Sequence, residues 1–565
     1  MAVAVAIGAA WQAGADVTVH AAADNGQMLR WFEEMVPMKD GVKLYTYGNL
    51  PPEGTTCGII FMRDPYVREV RADVRAYAKR QAGALKRGYA YVYQHVRGTG
   101  MSEGDWVPYL NERADGLATL DWIRKLPHYS GEIFLYGGSY LASVHWSYLD
   151  TDPADVKGAV LNIQDVNRYN ICYHHGHYKG GKLATWNVGK KKNRPPKRDN
   201  PALLTDLPLK GYSVRAFGKR VPYLEERWDH PRPEDPWWNT PGAAGGEYRR
   251  ALLDSTMPVL MVTGFYDRYA EGIFDMWHET PPGRKANCAL VVDAFDHGGR
   301  RMKGIDASSP IFFPNGSRHD AGVVDSVLDW FDWCRGRKAL TRVRPGETLW
   351  YALWGNAWHA APEMKDAPNA LALSLTDDRR LVLSGSPVAD GGGVVRFAYD
   401  PKNPPTFPGA GCLIMGGMRA QPEPGFRDDV VSFVSDPFAD RYNVRGRIKV
   451  SLVVTSDCDD TSFYVRLSIR KRDGKWYTLR DDIKSISWDT ADYAPGAEAR
   501  IDYALSDHAF AIEEGDQLRA DIAGTNGDMF IPHTNFKGPF AEQTVSRVAH
   551  NAVRAGKSRI VLPVE

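Results

Sequence analysis

The segment Gly131-Glu-Ile-Phe-Leu-Tyr-Gly-Gly-Ser-Tyr-Leu-Ala142 holds the residues best placed for chemistry. An apolar run from Ile133 to Tyr136 stops at Gly137-Gly138, presents Ser139, and passes into a helix-compatible run from Leu141 to Leu149. A strand that turns sharply into a helix, with small residues beside a serine, holds the hydroxyl clear of the backbone for attack on a carbonyl. Glycines suit such a turn because it needs unusual backbone angles and close packing of strand on helix. The start of the helix also aims N–H groups at the place where an oxyanion would form. Leu141 stands where the G-x-S-x-G pattern has its last glycine. On these residues alone, an ordinary glycine-rich turn with an incidental serine stays open.

A serine hydroxyl is a weak nucleophile until a histidine takes its proton, and that histidine needs a carboxylate to fix its tautomer. On an α/β-hydrolase sheet the three follow one another as Ser, acid, His, each on a loop after a strand. The strand-like Pro258-Val-Leu-Met-Val-Thr-Gly-Phe-Tyr266 ends at Asp267, in place for the acid. The next, Ala289-Leu-Val-Val-Asp-Ala-Phe295, leads to Asp296-His297-Gly298-Gly299, in place for the base. Asp293 and Asp296 are rival acids, but a carboxylate so near its histidine in sequence reaches Nδ1 poorly. The crowded Cys172-Tyr-His-His-Gly-His177 is the main metal candidate among the histidines, and its spacing matches no zinc template. The expectation is therefore no metal, and acyl transfer through a serine requires no cofactor.

The elements around these residues alternate. Cys57–Met62, Tyr89–Val96, Ile133–Tyr136, Val160–Ile163, Val259–Thr263 and Ala289–Val292 read as strands. Helical spacing falls on Val70–Gly88, Gly116–Leu126, Ala270–Glu279 and Val323–Trp333. Such alternation predicts an α/β fold, a mostly parallel sheet covered by helices. Residues 166–250 interrupt it with Trp186, Trp228, Trp237, Trp238 and several prolines, and are read as a largely helical cap over the carboxyl ends of the strands. After Gly336, short β-rich runs predict a sandwich or jelly roll: Leu349–Trp354, Leu371–Leu375, Val394–Tyr399, Val430–Val434, Ile448–Thr455, Phe463–Ile469, Ala499–Tyr503 and Gln517–Ile522. The expected division is an N-terminal extension 1–29, an α/β unit 30–165 with 251–340, a cap 166–250, and a β domain 341–565.

At 565 residues the chain exceeds one core, and its 43% apolar and 25% charged content is ordinary for a globular protein. A formal charge of +1 gives no global field toward nucleic acid or a membrane surface. The basic run Lys190–Arg198 is read as a solvated loop. No apolar run reaches bilayer length. The apolar Met1–Trp11 has no preceding Lys or Arg, so a cytoplasmic location is expected over secretion. Six scattered cysteines are read as free thiols.

Four motifs together resemble the cocaine-esterase-like hydrolases, a group that includes X-prolyl dipeptidyl peptidases, α-amino-acid ester hydrolases and cephalosporin/glutaryl acylases. They are Val36-Pro-Met-Lys-Asp-Gly-Val-Lys-Leu44, Met62-Arg-Asp-Pro-Tyr66, Gln94-His-Val-Arg-Gly-Thr-Gly-Met-Ser-Glu-Gly104 and Tyr136-Gly-Gly-Ser-Tyr-Leu-Ala142. Val430–Phe438 and Ser456–Phe463 look like that family's jelly roll, so the resemblance spans roughly 30–565. It implies Ser139 as nucleophile, His297 as general base and Asp267 as orienting acid. It also implies an oxyanion hole made by the Tyr66 hydroxyl and the Tyr140 N–H.

This sequence departs from the family pattern at His95, where an aspartate is usual, and at Ala142, where a glycine is usual. Arg268-Tyr269-Ala270 replace the extra carboxylates that α-amino-acid ester hydrolases carry after the acid, leaving Glu271 the nearest. The expected function is a serine esterase or acylase acting on a small ester or amide. The alternative is an X-prolyl-peptidase-like or α-amino-acid ester hydrolase activity, with Glu225, Glu226 and Glu234 as ammonium-binding candidates. A non-catalytic binding protein is disfavoured because all three triad residues are present. Phe265, Trp146 and the cap tryptophans are the expected pocket walls, although Trp146 could equally be core. Homo-oligomerisation is left open.

Overall fold

The computed structural model describes residues 17–67, 72–180, 186, 207–298, 309–315, 325–386, 392–411 and 416–565. Its first sheet is built from β1 (Thr18–Asp24), β2 (Gln27–Pro37), β3 (Lys43–Leu50), β4 (Cys57–Asp64), β5 (Tyr89–His95), β6 (Tyr129–Gly138) and β7 (Val156–Asn162). After a two-residue pair β8 (Tyr173–His174) and β9 (His177–Tyr178), the sheet continues with β10 (Val259–Tyr266), β11 (Ala289–Asp296), β12 (Thr348–Ala352) and β13 (Ala357–Ala361). The strand order is β1-β2-β3-β5-β4-β6-β7-β10-β11-β12-β13. The stretch from β5 to β12 is parallel, and both ends are antiparallel.

Parallel strands buried on both faces must be apolar along their length. Ile133, Phe134, Leu135, Val259, Leu260, Leu290 and Val291 accordingly have almost no exposed surface. Helices α1 (Val74–Leu85), α2 (Glu112–Ile123) and α3 (Tyr140–Trp146), with the helix Ala270–Glu279, alternate with the strands. Ala270–Glu279 keeps the ends its sequence spacing predicts. The α1 helix is shorter than Val70–Gly88, since it begins where Asp73 accepts the Ala76 N–H at 3.0 Å.

Three placements differ from the sequence reading. Thr18–Asp24 is not a separate extension but the outer strand of a hairpin that adds to the sheet edge, with Thr18 opposite Glu33. Leu349–Trp354 belongs mainly to the first sheet and touches the second through Leu353, which bridges to Phe510. Its strand β12 pairs in parallel with β11, Thr348 opposite Leu290, and the hairpin to β13 closes that edge. In 166–250 the described helical pieces are no longer than six residues, broken by Gly and Pro. They gather on their own aromatic core of Tyr169, Tyr173, Tyr212, Trp228 and Trp238, to which Ile531 and Ala541 of the C-terminal domain contribute.

The C-terminal domain is all β, twelve strands among the described residues. Tyr442–Ser456 runs against Ala499–Ile512 in long antiparallel register, Leu452 opposite Ile501. Val444, Ile448, Val450, Leu452 and Val454 alternate inward, the period-two pattern of a strand with one buried face. Phe397 and Phe463 lie on strands that are not neighbours, yet their rings are 6.0 Å apart, so two layers pack face to face. This core is continuous with that of the α/β unit, where His508 packs on Phe265 at 4.7 Å. No helix among the described residues is long and apolar enough to cross a membrane.

Candidate active site

Strand β6 delivers Ser139 to the carboxyl edge of the parallel sheet. Ser139 adopts φ 57° and ψ −130° before α3 begins at Tyr140. A non-glycine residue pays a steric cost of about 1–3 kcal/mol for such a conformation. The turn is held by Ser139 N–H donating to Asn162 O at 2.9 Å and by the Ala142 and Ser143 N–H groups donating to Ser139 O. Gly137 is obligatory, because a Cβ there would lie 2.1 Å from Leu141 O. Gly138 has room, its nearest neighbour being Ile163 at 3.6 Å.

The loops after β10 and β11, adjacent strands of the same sheet, carry Asp267 and His297. His297 Nδ1 is 2.9 Å from Asp267 Oδ2, and His297 Nε2 is 3.0 Å from Ser139 Oγ. The Asp267 side chain is 0% exposed, whereas that of His297 is 21% exposed, so the acid is shielded while the base remains reachable. Asp267 Oδ1 accepts the Tyr269 N–H at 2.6 Å, which leaves Oδ2 to face the imidazole. The Tyr269 ring stands edge-on to His297 at 5.1 Å. With Nδ1–H donating to Asp267, Nε2 presents a lone pair to the Ser139 hydroxyl. The rivals are engaged elsewhere: Asp293 accepts the Ala294 N–H at 2.7 Å and Asp296 the Gly298 N–H at 3.0 Å.

Tyr66 follows β4 on a loop fixed by Asp64, which accepts the Tyr66 N–H at 2.6 Å and the Tyr93 hydroxyl. Although the residue is 40% exposed, its hydroxyl is a hydrogen-bonding neighbour of Ser139 and Trp186. Burial of that hydroxyl pushes the phenol up to about 12, so it stays an O–H donor at neutral pH. Tyr140 places its N–H in the first turn of α3, where an N–H has no intrahelical acceptor. Its ring is pinned from the far side: the Tyr140 hydroxyl donates to Glu112 Oε1 at 2.7 Å and accepts the Tyr109 N–H at 2.8 Å. Glu112 in turn pairs with the fully buried Arg63 at 2.9 Å.

Glu112→Gln keeps an acceptor for Tyr140, but among the described carboxylates it leaves Arg63 the more distant Asp115, 3.8 Å away, beside its neutral acceptors Gln94 Oε1 and the carbonyl of residue 112. Breaking a buried pair on one side is expected to cost about 3 kcal/mol, read as a lower urea midpoint with KM little changed.

Other residues singled out by the sequence lie elsewhere. Phe265 and Trp146 are 0% exposed and belong to the core, so neither presents a wall to a substrate. Of the cap tryptophans, Trp186 does reach the site, its ring 5.5 Å from Tyr140 and 6.4 Å from Tyr109. Trp228 and Trp238 are buried in the cap core, and Trp237 stacks on His230. His95 is buried on Tyr45 and accepts the Met101 N–H at 3.2 Å, which makes it a loop-shaping residue. The run Lys190–Arg198 and Cys412 lie outside the described residues. Glu112 and Tyr109 were not singled out by sequence, and Tyr269 stood out there only as a departure after the acid, since no local spacing links them to Ser139.

Comparison with known proteins places the chain among hydrolases. Residues 40–299 match the X-Pro dipeptidyl-peptidase (S15) family, and residues 360–559 match the X-Pro dipeptidyl-peptidase C-terminal non-catalytic domain. The cocaine esterase of Rhodococcus sp. (strain MB1 Bresler) is 24% identical over 601 aligned positions, covering 94% of this chain and 97% of that protein. Among solved structures, an α-amino acid ester hydrolase superposes with a TM-score of 0.76 at 16% identity, covering 96% of this chain and 98% of that one. An aminopeptidase from a marine sediment Thaumarchaeota archaeon gives 0.76 at 17% identity, covering 95% and 96%.

Proposed function

From the premise that the chain belongs to the cocaine-esterase and X-Pro dipeptidyl-peptidase-like family of hydrolases, we propose that it cleaves a small ester or amide through an acyl-enzyme on Ser139. The observation that carries this reading is the unbroken relay from Asp267 through His297 to Ser139, at 2.9 and 3.0 Å. In that relay His297 Nε2 takes the hydroxyl proton as Ser139 Oγ attacks the carbonyl carbon. The imidazolium so formed is stabilised by Asp267. The carbonyl oxygen, now an oxyanion, receives the Tyr66 O–H and the Tyr140 N–H. His297 then protonates the departing alcohol or amine, and a water repeats the sequence to free the acid.

The alternative of an α-amino substrate needs a carboxylate left over for an ammonium. Glu271 is committed instead, accepting from His174 Nε2 at 2.9 Å. Burial opposes charge on His174, but Asp482 and Glu271 outweigh it and hold the imidazole protonated above its usual range. Glu225 accepts the Ser213 N–H at 2.8 Å, and Glu226 and Glu234 face solvent. Trp186, Tyr109 and Tyr269 around the nucleophile favour an apolar or aromatic acyl group.

A panel of p-nitrophenyl esters of graded chain length, run beside aminoacyl and dipeptidyl-Pro anilides, tests the reading. Esters are expected to turn over fastest, and exclusive turnover of the dipeptidyl-Pro anilide would overturn it. Tyr66→Phe removes one oxyanion donor and is expected to lower kcat about 10²–10³-fold, with KM little changed.

A further inference from the structure

The hairpin of β8 and β9 turns at His175 (φ 41°) and Gly176 (φ 78°), two successive left-handed positions. Such a turn favours Asn-Gly, so a histidine at its first position is a strained choice. The turn sets the rings of His174 and His175 only 4.5 Å apart, and the fold brings Asp482 to them from more than 300 residues away. We propose that His174, His175 and Asp482 form a binding site for one divalent transition-metal ion of the zinc type.

The ligand atoms all lie within 4.8 Å of one another. Asp482 Oδ1 is 2.5 Å from His174 Nδ1 and 3.4 Å from His175 Nδ1. Two ligands of a tetrahedral zinc at about 2.0–2.1 Å stand roughly 3.3–3.4 Å apart. The second pair already has that spacing, and the first must open by about 0.8 Å. Asp482 is 1% exposed in its side chain; its Oδ1 faces both histidines, and its Oδ2 is buried without a hydrogen-bond partner, a lone-pair donor left unused on the same carboxylate. Glu271 accepts from the far nitrogen of His174, the carboxylate–histidine arrangement that orients metal-bound imidazoles. Imidazole donors select zinc-type ions over calcium or magnesium.

Binding would release to solvent the proton held between His174 and Asp482. His175 Nδ1 would exchange its contact with Ile483 O, at 3.1 Å, for the ion. The ion would join three parts of the molecule: the cap hairpin, the strand Trp476–Ser485, and, through Glu271, the helix that begins three residues after Asp267. Spacing within Cys172–His177 could not reveal this, because the carboxylates come from elsewhere.

The test uses the tag-free full chain, stripped with chelator, dialysed, and titrated with zinc against a chromophoric competitor. One zinc per chain is expected, with a raised thermal midpoint. Asp482→Asn and His175→Ala should each weaken binding at least about 100-fold, and Glu271→Gln about 10–100-fold. His359→Ala, at an exposed site on the first sheet, should bind as the parent does. A folded parent that retains no zinc overturns the proposal, as does an Asp482→Asn protein that binds like the parent.

Discussion

Ser139→Ala is expected to lower kcat by about 10⁴-fold or more and to abolish labelling by a fluorophosphonate, with the fold intact. The magnitude follows from the chemistry: without Oγ no acyl-enzyme forms, and what remains is water attack assisted by the oxyanion donors. The same position yields a second, opposite readout. Ser139 sits at φ 57°, a conformation that a side chain makes costly and glycine does not. Ser139→Gly should therefore be equally inactive yet more stable than the parent, by about 1 kcal/mol or more, visible as a higher thermal midpoint. A serine retained only for packing would show neither the loss of labelling nor an inverse relation between activity and stability. Labelling of Ser139→Ala at the parental rate would move the nucleophile to another residue.

What the sequence made legible divides along physical lines. Strands β6, β10 and β11 stood out because burial on both faces demands continuous apolar runs, and each ends at a residue capable of chemistry. Ser139, Asp267 and His297 could thus be picked from the ends of strands, and the fold brings the three together. Partners that act through long-range polar contacts left no such trace. Glu112 grips Tyr140 from 28 residues away, and Asp482 meets His174 from the far end of the chain. Aromatic residues were ambiguous for another reason, since a pocket wall and a core filler are written with the same letters. Trp146 and Phe265 point from the same elements as the triad into the core, whereas Trp186 reaches Tyr66. The strand Thr348–Ala352 resembled its β-rich successors in composition. Its partner, β11, lies more than 50 residues upstream, beyond the range of any local pattern.

Asp267→Asn is expected to lower kcat about 10⁴-fold while leaving KM and stability near those of the parent. The amide fits the same space, and its oxygen can still accept the Tyr269 N–H that Oδ1 accepts now. Its NH₂ group then faces His297 Nδ1 and donates to it, which forces the ring proton onto Nε2. In that tautomer Nε2–H points at Ser139 Oγ, 3.0 Å away, as a donor and cannot take the hydroxyl proton. The imidazolium of the transition state also loses its counter-charge. Asp296→Asn supplies the contrast, because that carboxylate serves the Gly298 N–H in the same loop. It should change kcat by less than about tenfold, since altering a cap in a loop does not alter the tautomer of the base. Both variants are read with one ester substrate across pH 5–9. If Asp296→Asn proves the crippled variant and Asp267→Asn the active one, the orienting acid belongs to the loop of the histidine itself. The 2.9 Å contact between Asp267 and His297 would then be structural rather than catalytic.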